Sequence, residues 1–439
     1  MNTNSAIMRL VVTSLLLAAA SDGFAQGPPR SPYYDQINVY YRNAESLRKL
    51  GDYEGAIRAY EQALKMQRAE RDRNGQGTSL LAIGDVLLFG LNRPEPALEY
   101  YQQSLDLERA TKDRKGEATA LNQIAYARYM LGQIESAAQI YQQVLEMVRR
   151  KKNRFAEGTA LNGLGNCALA EGRVSEALQY YQQALRLRQK EKQRAAIGNT
   201  TYNLGRAYAA AGDLETALRY YQQALDLRRE ILELRAELTT LLDLGRLLVQ
   251  LKRPQQARVY YSEAVGLARR VDNEPAELES LTGAGYTSLE AGQPEGARKY
   301  MQAALGLARR RSNRTAEQTM LVGLGTVEYK LGRYEEAVTY HQQAVQLAQQ
   351  RRDLQAVSEI LVNLGQIHAV RERYHYALAC LHQASSMLKD TASPLLDDVE
   401  QRLAALKQTL GQDRFRQVEE DVRGNPLAYL REATGFTHW

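Results

Sequence analysis

Apolar residues along this chain fall three and four apart in stretches of roughly 15 to 18 residues, the spacing of one helical face. Short polar turns break the stretches, and no segment sustains the alternation of a strand. The clearest example is NLGRAYAAAGDLETALRYYQQAL, Asn203 to Leu225, two apolar stripes joined at Gly212-Asp213. Close variants follow Leu161 (LNGLGNCALAEGRVSEALQYYQQAL) and Leu321 (LVGLGTVEYKLGRYEEAVTYHQQAV). The pattern predicts pairs of antiparallel helices repeated at a period of 40 residues.

Three columns define the repeat. Alanine occupies Ala56, Ala97, Ala137, Ala177, Ala217, Ala257, Ala297, Ala337 and Ala377, nine units 40 residues apart save one step of 41. Twelve residues upstream stands a small residue: Ala44, Ala125, Gly165, Gly205, Gly245, Gly285, Gly325 and Gly365. In the second unit Gly84 is one residue out of register, which places an inserted residue within Leu87 to Pro94. Four residues after the alanine comes Tyr60, Tyr101, Tyr141, Tyr181, Tyr221 or Tyr261, then Met301, His341 and Leu381. Small residues on both helices let the backbones approach, and the large side chain fills the space beside them. Gly51, Gly132, Gly172, Gly212, Gly292 and Gly332 fall between the helices, where positive φ ends a helix.

These residues resemble the tetratricopeptide repeat family, with Leu204, Gly205, Tyr208, Ala217, Tyr221 and Ala224 standing in its signature places. The 40-residue unit is similar to the kinesin light chain type rather than the usual shorter one. The resemblance covers about Asp35 to Lys389 and weakens in the ninth unit, where Glu372 and Leu381 replace Gly and Tyr. It implies an all-α fold, a right-handed superhelical solenoid of nine helical hairpins. Beyond Ser393-Pro394, the stripe Leu395, Leu396, Val399, Leu403, Leu406 and Leu410 predicts a capping helix, and Asp413 to Arg423 a second. Leu427, Tyr429, Leu430, Phe436 and Trp439 are expected to fold back on that cap; the other reading is a docking tail.

The first 25 residues read as an export signal: Arg9, an uncharged run from Leu10 to Ala20, and small residues at Gly23 and Ala25 before Gln26. The run is about half the ~20 residues that span a bilayer, so no membrane span is expected once it is removed. A flexible leader is expected over 26–34, the repeats over 35–390, and the cap and tail over 391–439. Periplasmic or extracellular location follows. The formal charge of +6 is mild over 439 residues. Cys167 and Cys380 stand more than five repeats apart and read as core residues rather than a disulfide.

Composition and motifs point away from catalysis: there is no phosphate-binding glycine loop, nucleophile elbow or HExxH. No cofactor is expected. His368, His375 and His382 recur at seven-residue intervals but fall on a first helix, a turn and a second helix, so no metal site is expected. The basic runs Arg149 to Arg154 and Arg309 to Arg311 end second helices, where cations complement the helix dipole, which argues against nucleic acid.

The remaining candidate is the inner groove of first helices. Family resemblance implies that extended peptides bind there, and that an Asn two residues before the small column pairs with peptide backbone. Asn203 and Asn363 hold that place, with Gln123 and Asp243 as variants and Gly163, Gly283 and Gly323 elsewhere. The residue after the small column is expected to face the same way: Asn166, Arg206, Arg246, Tyr286 and Gln366. Arg206 and Arg246 favour a partner of acidic character. The expectation is a non-catalytic scaffold for a protein or peptide; the alternatives are a self-assembling envelope component or the recruiting subunit of an enzyme complex.

Overall fold

A computed structural model describes residues 32–149, 153–389 and 393–435. The export signal therefore lies outside the described residues, as do Phe436 and Trp439. Every regular element in the described residues is helical, and none of these helices is long and apolar enough to cross a membrane.

The chain divides into two compact units, 1–171 and 172–439. In the first are α1 (Pro32–Leu50), α2 (Tyr53–Ala69), α3 (Arg73–Asp85), α4 (Pro94–Thr111), α5 (Arg114–Met130), α6 (Ile134–Arg149) and α7 (Arg154–Ala170). The second holds α8 (Val174–Lys190), α9 (Arg194–Ala210), α10 (Leu214–Glu230), α11 (Leu234–Gln250), α12 (Pro254–Arg270), α13 (Glu274–Glu290) and α14 (Pro294–Arg310). It continues through α15 (Arg314–Lys330), α16 (Tyr334–Gln350), α17 (Leu354–Val370) and α18 (Tyr374–Leu388). Odd-numbered helices are the first of each repeat. Helix α1 begins at Pro32, so 32–34 of the expected 26–34 leader are helical, and the rest of it lies outside the described residues.

The turns explain the element boundaries. Between the helices of a repeat, φ is positive at Gly51, Gly132, Gly172, Gly212, Gly292 and Gly332. The remaining repeats put Asn92, Lys252 and Glu372 in the same left-handed place. Joints between repeats do likewise with Arg71, Lys112, Lys192, Leu232, Asp272, Ser312 and Arg352. At some of these turns an Asp or Asn side chain caps the next helix, as Asp52 does for the Gly55 amide at 2.8 Å and Asp353 for that of Ala356 at 3.1 Å.

The inserted residue of the second repeat lies inside the helix. Helix α3 continues through a π turn at Val86–Gly90, making a first helix one residue longer than the 17 residues of α5 or α7.

The columns pack as the sequence requires. A Cβ on Gly205 would lie 2.7 Å from Tyr221 Cδ1, and one on Gly325 would lie 2.6 Å from His341 Nε2. Tyr101, Tyr141 and Tyr181 are wholly buried. His341 belongs to this packing column: it is 1% exposed, and burial pulls its pKa down to about 4. Both cysteines are free and buried.

Exposed ion pairs reach from one repeat to the next, such as Arg253–Glu215 at 2.5 Å and Arg333–Glu295 at 3.0 Å. Each contributes about 0–1 kcal/mol. A second series joins the end of a second helix to the following first helix: Arg109–Glu117 (3.1 Å), Arg229–Glu237 (3.1 Å), Arg269–Glu277 (2.7 Å) and Arg309–Glu317 (2.9 Å). Arg149 pairs likewise with Glu157 (3.5 Å), so Arg149 and Arg309 of the two basic runs are held by carboxylates at the joints.

The last repeat is covered by α19 (Leu395–Leu410), α20 (Gln412–Gly424) and α21 (Pro426–Thr434). Val399 and Leu406 of the predicted stripe are buried, and α19 to α21 all pack on α18. The sequence reading missed α21 as a helix; of the residues expected to pack there Leu430 is buried, Tyr429 half-buried and Leu427 45% exposed, while Ala433 is buried and α21 also touches α16 and α17. The three regularly spaced histidines hold this cap. His368 Nε2 donates to the Ala433 carbonyl (3.4 Å), His375 Nε2 lies 3.2 Å from Asp421, and His382 Nε2 lies 3.9 Å from Glu419. Among the described residues no group of three His, Cys, Asp or Glu is arranged to hold a metal.

Candidate functional site

First helices of successive repeats lie directly against each other, α5 on α7 in the first unit and α11, α13, α15 and α17 in sequence in the second. Their outward faces form continuous surfaces over α5–α7 and over α11–α17, and side-chain bonds tie α3 to α5 (Gln123 to Asp85) and α9 to α11 (Tyr202 to Asp243). The residues expected to line it divide into three groups.

Some are packing groups. Asn203 and Asn166 are only 8% and 9% exposed, which corrects the expectation that Asn203 presents itself to a ligand. The glycines that share the column of Asn203 show how close the neighbouring repeat comes there. Where this column is glycine, the large side chain of the preceding repeat leans on it: a Cβ on Gly283 would come 2.6 Å from the Tyr261 ring, and one on Gly323 would come 2.8 Å from Met301 Sδ. Gly163 receives Tyr141 in the same way. The column serves contact between repeats, a role that period and residue type did not reveal. Asn363 is half-buried.

Others are tied into polar links between repeats. Gln123 Nε2 donates to Asp85 Oδ1 at 2.5 Å, and Tyr101 Oη donates to the same oxygen at 2.8 Å. Burial outweighs these bonds and lifts the Asp85 pKa to about 6. In the second unit Asp243 accepts from Tyr202 Oη and from Arg246 at 2.6 Å, while Arg246 also reaches Glu279. Arg246 is accordingly clamped between two carboxylates, and the positive pair expected to favour an acidic partner is not formed. Gln366 gives its amide to Tyr329 Oη (3.1 Å) and takes Arg402 of α19 on its carbonyl (2.6 Å). The cap thus closes this end of the surface.

The third group lies on the accessible side of the face. Arg206 is exposed; Tyr286 is half-buried, with its hydroxyl on the Thr319 carbonyl at 3.3 Å. The first unit carries residues the sequence reading did not single out. Phe89 stacks on Tyr126 (centroids 5.4 Å apart), and Tyr126 on Tyr129 (6.1 Å), with Phe89 58% exposed and Met130 beside them 43% exposed. The available signal was the displaced register of the second repeat, since the π turn carries Phe89.

Two buried arginines stand one repeat apart. Arg188 and Arg228 donate to the carbonyls of Ala196 (2.9 Å) and Ala236 (2.8 Å) and to the hydroxyls of Thr200 and Thr240. Arg228 also lies over the Tyr202 ring, 4.3 Å from its centroid. Burial lowers the pKa of Arg188 to about 10 and depresses that of Arg228. These cations brace the joints rather than face solvent.

Family models described as tetratricopeptide repeat match residues 35–110, 156–230, 236–310 and 317–390, and a further one matches 119–147. No curated protein matches significantly. Among solved structures, the chain is similar to a signal-transduction ATPase with a tetratricopeptide repeat sensor from Pyrococcus horikoshii. That match has 16% identity and a TM-score of 0.52, and covers 80% of this chain and 55% of that one. It is also similar to the quorum sensor NprR from B. thuringiensis (14% identity, TM-score 0.47, 81% of this chain and 98% of that one). A third is a putative kinesin light chain with nearly identical repeats from Podosopora anserina (18% identity, TM-score 0.39, 44% and 95%).

Proposed function

The chain belongs to the tetratricopeptide repeat family, and from that premise we propose that it is an exported, non-catalytic scaffold that binds partner proteins on its first-helix face. The observation that carries this reading is where variation is concentrated. The alanine column is constant through nine repeats, while the places after the small column change from Asp85 to Tyr126, Arg206, Arg246 and Tyr286. A face that is continuous within a unit and differentiated from repeat to repeat suits recognition of an extended segment. Because it is preformed, little ordering cost falls on the receptor.

Charge on the second unit's face is largely balanced internally by the Asp243, Arg246 and Glu279 cluster. A segment read there by shape and neutral hydrogen bonds fits better than an acidic one. Replacing Arg206 and Tyr286 together by Ala is expected to weaken capture of the partner at unchanged helicity; unchanged affinity would remove the second unit from the binding surface. Export is tested separately. Protein recovered from cells should begin at Gln26, and retention of Met1 would contradict it.

A further inference from the structure

The second repeat departs from the period at one place, and that departure builds a surface. The extra residue is absorbed as the π turn Val86–Gly90 at the end of α3. Such turns give up regular hydrogen bonding and occur frequently at functional sites. Here Leu87 and Leu88 are buried while Phe89 is turned outward, 58% exposed yet stacked on Tyr126, which is in turn stacked on Tyr129. A large apolar ring held this way in water costs free energy unless something covers it.

One turn back along the same helices lies a second departure from a neutral surface. Asp85 accepts from Tyr101 and Gln123, both uncharged donors. Among the described residues no ion pair involves Asp85, and Arg48, a cation whose charge reaches it, is held by Glu45 at 2.7 Å. A half-buried carboxylate with no ion-pair partner among the described residues thus stands four residues before Phe89 and bonded to Gln123 on the helix that carries Tyr126. Both features attract the same chemistry, because ring faces and carboxylates each favour a cation.

We propose that the first-helix face of repeats two and three is a binding site for a cationic side chain, arginine or lysine, presented by an extended segment of a partner protein. Its cation lies against Phe89 and Tyr126, Asp85 supplies the counter-charge, and Tyr129 and Met130 cover the neighbouring chain. This rests on the reading of the first-helix face as the partner surface and adds the chemistry that its first unit recognises.

The test uses the full chain and three labelled twelve-residue peptides of Gly, Ser, Ala and Pro that differ only at a central Arg, norleucine or Glu. Binding is followed by fluorescence anisotropy at low salt. The Arg peptide should bind about fivefold or more tighter than the other two, the range a partly desolvated cation over rings provides. Phe89→Ala and Asp85→Asn should each remove most of that preference, and Phe89→Leu should do so while keeping apolar bulk. Binding of the Arg peptide should also weaken between pH 7.5 and pH 5 as Asp85 is protonated. Equal or tighter binding of the norleucine peptide would make this an apolar shelf and overturn the proposal, as would preference for Glu or insensitivity to Phe89→Leu. If a partner still contacts position 206 while the peptides are not distinguished, the scaffold reading stands and this one fails.

Discussion

Gly283 lies against the ring of Tyr261 from the preceding repeat, so closely that a Cβ would stand 2.6 Å from Cε1 and Cζ. The neighbour is ring atoms packed in a buried column, with Tyr261 only 5% exposed, so it has little room to yield. Gly283→Asn, which would install the amide found at Asn203, should destabilise the protein by about 1–3 kcal/mol through overpacking. Urea denaturation followed by circular dichroism measures it; a neutral result would mean that the repeats are spaced more loosely here.

Ten non-glycine residues among those described hold positive φ, and Leu232 does so while 77% exposed. A side chain in that conformation costs about 1–2 kcal/mol and here gains no packing. Leu232→Gly is expected to raise stability by about 0.5–1 kcal/mol after the greater freedom of glycine in the unfolded chain is subtracted. The same change at Gly212, to Ala, should do the opposite. Paired melts of the two variants supply the check.

His368 joins the last repeat to the final helix. Burial draws its pKa down to about 4, assisted by Arg371 and Arg373 and opposed by the bond to Ala433. The folded value lies below the unfolded one of about 6.5, so proton uptake favours the unfolded chain. Its contribution is full above pH 6.5 and is lost as pH falls towards 4. His341 titrates with the same sign. The melting temperature should therefore drop between pH 7 and pH 4.5, and His368→Leu should shrink the drop. An unchanged drop would assign the effect elsewhere.

Glu108 behaves in the reverse sense. It is 5% exposed between Gly77 and Gly116, and burial with the nearby Asp113 raises its pKa to about 7. A raised carboxyl pKa stabilises the fold below the unfolded value and loses that stabilisation as pH climbs from about 4.5 to 7. Glu108→Gln should flatten the decline across that window in urea midpoints; a parallel shift at all pH values would mean that Glu108 does not titrate there.

The hairpins were legible in the sequence because their causes are local and repeated. Small residues face Tyr221 or His341 at fixed offsets, and a left-handed residue ends each helix. The capping stripe from Leu395 to Leu410 was legible for the same reason. Contacts between repeats were less so. Asn203 and Gly283 occupy one column, yet what decides their role is a side chain roughly twenty residues away in the preceding repeat, Tyr261 for Gly283. Arg246 looked like half of a free positive pair because Asp243 and Glu279 come to it from its own turn and from the next repeat. The aromatic row escaped notice because a one-residue slip reads as a defect until the π turn shows where Phe89 goes.

The central claim is that partners sit on the first-helix face, and site-specific photo-crosslinking in cells tests it most directly. The photoreactive residue p-benzoylphenylalanine is placed in turn at Arg206 and Tyr286 on that face of the second unit, and at Gln223, which is exposed on a second helix of the same unit. The account predicts one shared crosslinked partner from positions 206 and 286 and none from 223. Crosslinks from 223 alone would contradict it.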